Sequence, residues 1–206
     1  MKLARLMSLP MLTALMVTGC ANRTEPEAGS DVNTPTTIAR PSVAVSVKPA
    51  PAQQDQTGRP VVAFDPCYDV GDSTIQATGF DPKTRERGDS NLAADTYAFL
   101  GCEFEQKGTD GLPVWSMSLM ATNITMSEIR KRYADTTVKE YKIENRDAVT
   151  YRLPGDSYIS NCFLAMDSAV GVINIHLDIY AGRASGDACD RARSVGEIIQ
   201  KDLPTS

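Results

Sequence analysis

The chain has 206 residues, 42% of them apolar, with 21 Lys and Arg against 26 Asp and Glu and a formal net charge of −5. That mildly acidic balance excludes a general nucleic-acid footprint, which needs clustered cations. A single histidine, His176, and the absence of closely spaced cysteines exclude a zinc knuckle or a Cys-x-x-Cys redox pair.

Lys2 and Arg5 open the chain, and the apolar stretch from Leu6 to Val17 follows. This is the shape of a secretory signal. It is too short for a spanning helix, which needs about twenty apolar residues, and no later segment is longer or more apolar. Val17-Thr18-Gly19-Cys20 ends the stretch and resembles a bacterial lipobox. The resemblance implies cleavage before Cys20, diacylglycerol on its sulfur and a further palmitate-type chain on its amine. Residues 1–19 are therefore expected to be a lipoprotein signal peptide. The mature chain is expected to be lipid-anchored at Cys20 in the cell membrane, facing the extracytoplasmic side, since two or more acyl chains anchor stably where one does not.

Ala21 to Pro60 holds six prolines, many Thr, Ser, Ala and Gln, and no aromatic residue. Such a segment cannot bury enough apolar area to offset its ordering entropy, so residues 20–60 are expected to be a disordered tether. Residues 61–206 form the expected extracytoplasmic domain, a comfortable length for one core.

Four cysteines fall in that domain: Cys67, Cys102, Cys162 and Cys189. An even number in a chain that leaves the reducing cytosol reads as two disulfides. Three connectivities are possible. Pairing Cys67 with Cys102 and Cys162 with Cys189 closes the shortest loops and ties helical segments to strands.

Asp72 to Gly79 reads as a short helix with Asp72 as N-cap and Gly79 as its stop. Tyr97 to Gln106 reads as a strand, and so does Pro113 to Thr122, where Trp115, Met117 and Leu119 share one side. Thr125-Met126-Ser127-Glu128 is a capping-box pattern opening a helix whose Met126, Ile129 and Tyr133 share a face. Val138 to Ile143 and Ala148 to Leu153 flank the polar turn Glu144-Asn145-Arg146-Asp147 as a hairpin. Tyr158 to Met166 and Gly171 to Ala181 are two more strands; Ile173, Ile175, Leu177 and Ile179 point one way, Asn174, His176 and Asp178 the other. A last helix spans Asp187 to Asp202, with Ala188, Ala192, Val195 and Ile199 as its inward stripe. The expected fold class is α+β: an antiparallel sheet of about five to six strands with helices packed on it and two disulfides.

No catalytic set stands out. No Gly-x-Ser-x-Gly elbow accompanies His176, which reads as a surface residue beside Asp178. Asp65, Asp69 and Asp72 follow no EF-hand loop and read as turn and cap residues. Glu103 and Glu105 share a strand face, as a carboxylate pair or the outer face of any sheet would. The sequence assigns no catalytic residue, metal or cofactor.

The pieces Phe64-Asp65-Pro66-Cys67, Gly79-Phe80-Asp81-Pro82, Cys102, Asn145-Arg146-Asp147-Ala148, Cys162 and Asp187-Ala188-Cys189-Asp190 follow one another in order. Through them the chain resembles a family of lipoproteins of unknown function widespread in mycobacteria, nocardiae, rhodococci and corynebacteria. That resemblance implies a compartment and a fold style and carries over no catalytic residue. Its one departure is Asn145, where the family often has glycine; asparagine also enters the left-handed region. The first functional expectation is a non-enzymatic binding or accessory module that meets an envelope protein or wall component. The second is a lipid or glycolipid carrier, which needs an apolar cavity. The third is an envelope hydrolase using Glu103 and Glu105.

Overall fold

The computed structural model describes residues 40–51, 58–88, 97–155 and 160–204. The signal segment, Cys20 and tether residues 21–39 and 52–57 lie outside the described residues.

A seven-stranded, fully antiparallel sheet carries four helices and two disulfides. Its strands are β1 (Asp81–Arg87), β2 (Phe99–Lys107), β3 (Pro113–Thr122), β4 (Thr137–Ile143), β5 (Arg146–Tyr151), β6 (Asn161–Met166) and β7 (Val172–Ile179). They lie in the order β1-β2-β3-β7-β6-β5-β4. The helices are α1 (Pro66–Asp69), α2 (Asp72–Ala77), α3 (Met126–Arg132) and α4 (Ala188–Ile199).

The alternation read from β3 and β7 sets the two faces. Met117, Leu119, Ile175 and Leu177 are fully buried on one face, beneath the α4 stripe of Ala188, Ala192, Val195 and Ile199. Trp115 belongs to this core at 4% exposure. On the other face a smaller cluster of Ile124, Ile129, Val149, Ala165 and Val172 lies under α3. The capping box holds that helix start: Thr125 Oγ1 accepts from the Glu128 N–H, and Glu128 Oε2 accepts from the Thr125 N–H.

The disulfides join Cys67 to Cys102 and Cys162 to Cys189, with Cα atoms 5.2 and 5.0 Å apart. One ties α1 to β2. The other ties the first turn of α4 to β6.

Three local expectations shift, and one strand stands where none is expected. β1 is a strand that apolar alternation does not announce, because its inward residues are Arg85 and Arg87 and its second residue is Pro82, tolerated at a sheet edge. Asp72 is the first residue of α2 rather than its cap; Gly71 is the cap. The Asp72 carboxylate instead accepts from Arg85 Nη2 at 2.7 Å and from the Ala44 N–H at 2.7 Å. The β4–β5 turn is only Glu144-Asn145, and the left-handed residue is Glu144, with φ 53°, rather than Asn145. Finally, residues 40–51, assigned by composition to the tether, run along α1 and α2. Ser42 O accepts from the Asp72 N–H, Val47 O accepts from the Tyr68 hydroxyl, and Arg40 pairs with Asp69 at 3.0 Å. Here backbone groups of a proline-rich segment meet partners on the domain, which composition does not reveal.

Candidate ligand-binding site

The polar residues singled out from the sequence come together on the sheet face opposite α4. Cross-strand register aligns Tyr151, Phe163, His176, Ser118, Glu103 and Glu86 in one row over six strands. Glu105, Ser116 and Asp178 stand in the next row. His176 is not an isolated surface residue. Its ring stacks on Phe163 with centroids 3.9 Å apart, Phe163 on Tyr151 at 5.3 Å, and Tyr151 on Tyr133 at 4.3 Å. Asp178 Oδ2 lies 3.1 Å from His176 Nε2. The Tyr151 hydroxyl, whose ionisation burial pushes upward, accepts from Asn174 Nδ2 at 2.7 Å.

Ser118, His176 and Asp178 are the residue types of a hydrolase triad and lie on one face of the sheet. β3 is paired on both sides, so its backbone N–H groups are committed to the ladder. Glu103 and Glu105 share their face with a third carboxylate, Glu86, as a charged outer sheet face does. The three aspartates considered for calcium diverge. Asp65 pairs with Arg87, Asp69 with Arg40, and Asp72 with Arg85.

The concavity lies elsewhere, at the end of the sheet where β3 finishes and β7 begins. Residues 59–64 cross this end without joining a strand and leave an open crevice on each side. The first, about 510 Å³, is lined by Val62, Ile124, Met126 and Val172 together with Asn123, Thr125 and Asp167. The second, about 660 Å³, is lined by Phe64, Pro41 and Leu203 together with Asp69, Ser73 and Asp202. Ala63 and Val170 line both, so the crevices adjoin. Each is within the range of small-ligand pockets.

The chain forms this end for local reasons. Val172 opens β7 on the α3 side of the sheet, where Ile124 and Met126 begin the α3 segment. The β6–β7 turn is held by Ser168 Oγ, which bonds to Gly171 O and accepts from the Val170 N–H. Gly171, at φ 104°, brings its backbone so close to Thr122 O that a Cβ would sit 2.8 Å from that oxygen. At the mouth of the first crevice, Arg59 makes a two-pronged pair with Glu128 at 2.5 and 3.1 Å and donates to Asn123 O. The Arg59 guanidinium, then the Thr125 N–H and hydroxyl, hold the Glu128 carboxyl down to about 2.

Both crevices escape a reading of sequence alone, since the patterns their residues belong to, the capping box at Thr125 and the Phe64-Asp65-Pro66-Cys67 piece, announce element starts and not a cavity. The available signal is Val61-Val62-Ala63-Phe64, an apolar run ahead of Asp65-Pro66 without strand alternation. Val61 is 72% exposed, whereas Val62 and Phe64 are buried. Among the described residues no helix is long and apolar enough to cross a membrane, and no group of three or more His, Cys, Asp or Glu is placed to hold a metal ion.

Residues 15–201 match a family described as Protein of unknown function (DUF3558). No curated protein and no solved structure matches the chain.

Proposed function

Because the chain belongs to the family described as Protein of unknown function (DUF3558), a description that assigns no activity, we propose that it is a non-enzymatic envelope module that binds an apolar or amphipathic ligand. The observation that carries this reading is the pair of adjoining crevices around residues 59–64, each lined mainly by apolar residues with polar side chains among them. Water is poorly held against apolar surface, so an aliphatic chain that replaces it gains the transfer free energy of each methylene, about 0.8 kcal/mol. The lipobox at Val17 to Cys20 supports an extracytoplasmic, membrane-anchored location, where such ligands are at hand. Two disulfides suit that oxidising compartment.

Native mass spectrometry of the full mature protein, gently extracted from its own membrane, tests both parts. The expected result is a chain beginning at an acylated Cys20 with an additional, non-covalent lipid mass. A protein that retains no such mass, and takes up no alkyl probe afterwards, overturns the ligand reading. An unmodified Cys20 overturns the anchor.

A further inference from the structure

We infer that a cleft beside α4, at the opposite end of β3 from the two crevices, is a binding site for a small organic carboxylate held by the guanidinium of Arg191. This site is separate from the crevices and does not rest on the reading given to them. The cleft, about 440 Å³, lies between α4, the end of α2, the start of β3 and the segment ahead of α4. Trp115, Val195 and Ile198 give it apolar surface, and Thr78, Ser185 and Ser194 give it hydroxyls. Its charged residues are Arg191, Asp187 and Asp190.

Arg191 is the uncompensated charge. Its guanidinium lies over the buried rings of Trp115 and Phe80, 4.4 and 5.0 Å from their centroids. Nη2 donates to Gln106 Oε1 at 2.6 Å; Nε and Nη1 make no hydrogen bond, and Arg191 makes no ion pair, among the described residues. Arg85, Arg87 and Arg152, by contrast, each meet a carboxylate. Taking a cation out of water without a counter-charge is costly, and burial alone pushes the Arg191 guanidinium below its ordinary value. The aromatic faces offset part of that cost; an anion on the open N–H edge offsets more.

The two carboxylates of the lining do not supply that anion. Asp187 is committed, with Oδ1 accepting from the Cys189 and Asp190 N–H groups and Oδ2 3.5 Å from Arg152 Nη2. Asp190 is exposed and stands about 60° around α4 from Arg193, which lies over Tyr141, but about 100° from Arg191. Its charge accordingly acts on Tyr141, whose hydroxyl is pushed upward first by burial and then by Glu197 and Asp190.

Other groups in the cleft lack acceptors too. The Trp115 indole N–H, in a side chain 4% exposed, makes no hydrogen bond among the described residues, although a buried indole N–H usually finds an acceptor. The Ser185 hydroxyl makes none either. Open donors on guanidinium, indole and hydroxyl call for a group that only accepts, as a carboxylate does, and a guanidinium edge matches its two oxygens. A doubly charged phosphate would meet Asp187 and Asp190 as like charges, whereas a carboxylate brings one negative charge to one guanidinium. Val195 and Ile198 leave apolar surface for the body of the acid.

Trp115 is the only tryptophan of the chain and lines neither crevice, so its emission reports on this cleft. The test titrates the full mature chain with hexanoate, with hexanamide, which has the same shape without the charge, and with inorganic phosphate. Hexanoate is expected to change Trp115 emission saturably and to bind about tenfold tighter than hexanamide or phosphate, as a charge-assisted bond requires. In the unaltered protein the Arg191 Nε–H resonance should move with hexanoate and stay in place with hexanamide. Arg191→Gln, with its fold checked by near-ultraviolet circular dichroism, should lose the preference for the acid. No saturable change in emission, equal affinity for acid and amide, phosphate binding as tight as hexanoate, an unmoved Arg191 resonance, or a preference that survives in folded Arg191→Gln would each overturn the inference.

Discussion

Arg87 and Asp65 form an ion pair inside the domain, with Nη2 2.9 Å from Oδ2 and the two side chains only 6% and 8% exposed. Asp65 also caps α1 by accepting from the Cys67 N–H at 3.0 Å. One carboxylate thus fixes the domain's first helix and anchors the edge strand β1 to it. Arg85, two residues earlier, repeats the device: its guanidinium donates to the carbonyl of Cys67 within α1, to that of Val70, its C-cap, and to Asp72. Removing one partner of a buried pair leaves the other charge uncompensated, a loss of about 3–5 kcal/mol. Arg87→Ala is therefore expected to lower the urea-unfolding free energy by that amount. A loss below about 1 kcal/mol would mean that water reaches the pair as it reaches a surface salt bridge.

Glu128 sets an acid dependence of stability at the first crevice. Its folded-state value of about 2 lies below the ordinary 4.5, because Arg59 and Thr125 favour the carboxylate. A group depressed on folding stabilises fully above its unfolded value, and that stabilisation is lost as pH falls from 4.5 through about 2. Arg59→Ala is expected to raise the Glu128 titration midpoint, read by carboxyl carbon NMR, and to move the acid-unfolding midpoint upward. Glu128→Gln should flatten the stability profile over the same pH window. A Glu128 midpoint unchanged by Arg59→Ala would remove the pair as the cause.

What the sequence discloses about this fold is what alternation and capping encode. β3, β7, α3 and α4 have regular apolar spacing and side-chain caps, and each lies within a few residues of its expected place. The disulfide pairing follows from loop length. β1 is hidden because its inward positions are arginines, whose burial makes sense only once the carbonyl ends of α1 are in place. The packed strap at residues 40–51 is hidden because backbone groups, not apolar side chains, attach it. The role of His176 depends on register: only when β6 lies beside β7 does Phe163 meet it. The crevices depend on the same kind of long-range placement, since residues 59–64, 122–126 and 167–172 are far apart in the chain.

Gly196 lies on the buried side of α4, where a Cβ would run into Leu164 Cδ2 and stand 2.9 Å from Ile143 Cδ1. Glycine inside a helix ordinarily costs about 1 kcal/mol relative to alanine. Overpacking a close-packed core costs about 1–3 kcal/mol. The second effect is expected to win here, because two side chains from different strands must both give way. Gly196→Ala should therefore destabilise the domain by up to about 2 kcal/mol in urea. A gain in stability would show that Leu164 and Ile143 swing aside freely.

The two disulfides are expected to act on different halves of the domain. Cysteines 67 and 102 are 35 residues apart and tie α1 to β2, next to the Arg85 and Arg87 anchors; cysteines 162 and 189 are 27 apart and tie the first turn of α4 to β6. Loop closure of this size contributes about 3–4 kcal/mol in the chain-entropy model, so either double alanine variant should lose a similar amount of global stability. The local effects should separate. Cys162→Ala with Cys189→Ala frees α4 at the end where Asp187 caps it, so amide exchange is expected to quicken first at positions 189 and 190, whose backbone N–H groups the Asp187 carboxylate holds. Cys67→Ala with Cys102→Ala should leave those amides protected and instead quicken exchange at Tyr68 and Asp69, whose N–H groups bond to Asp65 O. Uniform acceleration in both variants would instead mean that the two halves open as one cooperative unit.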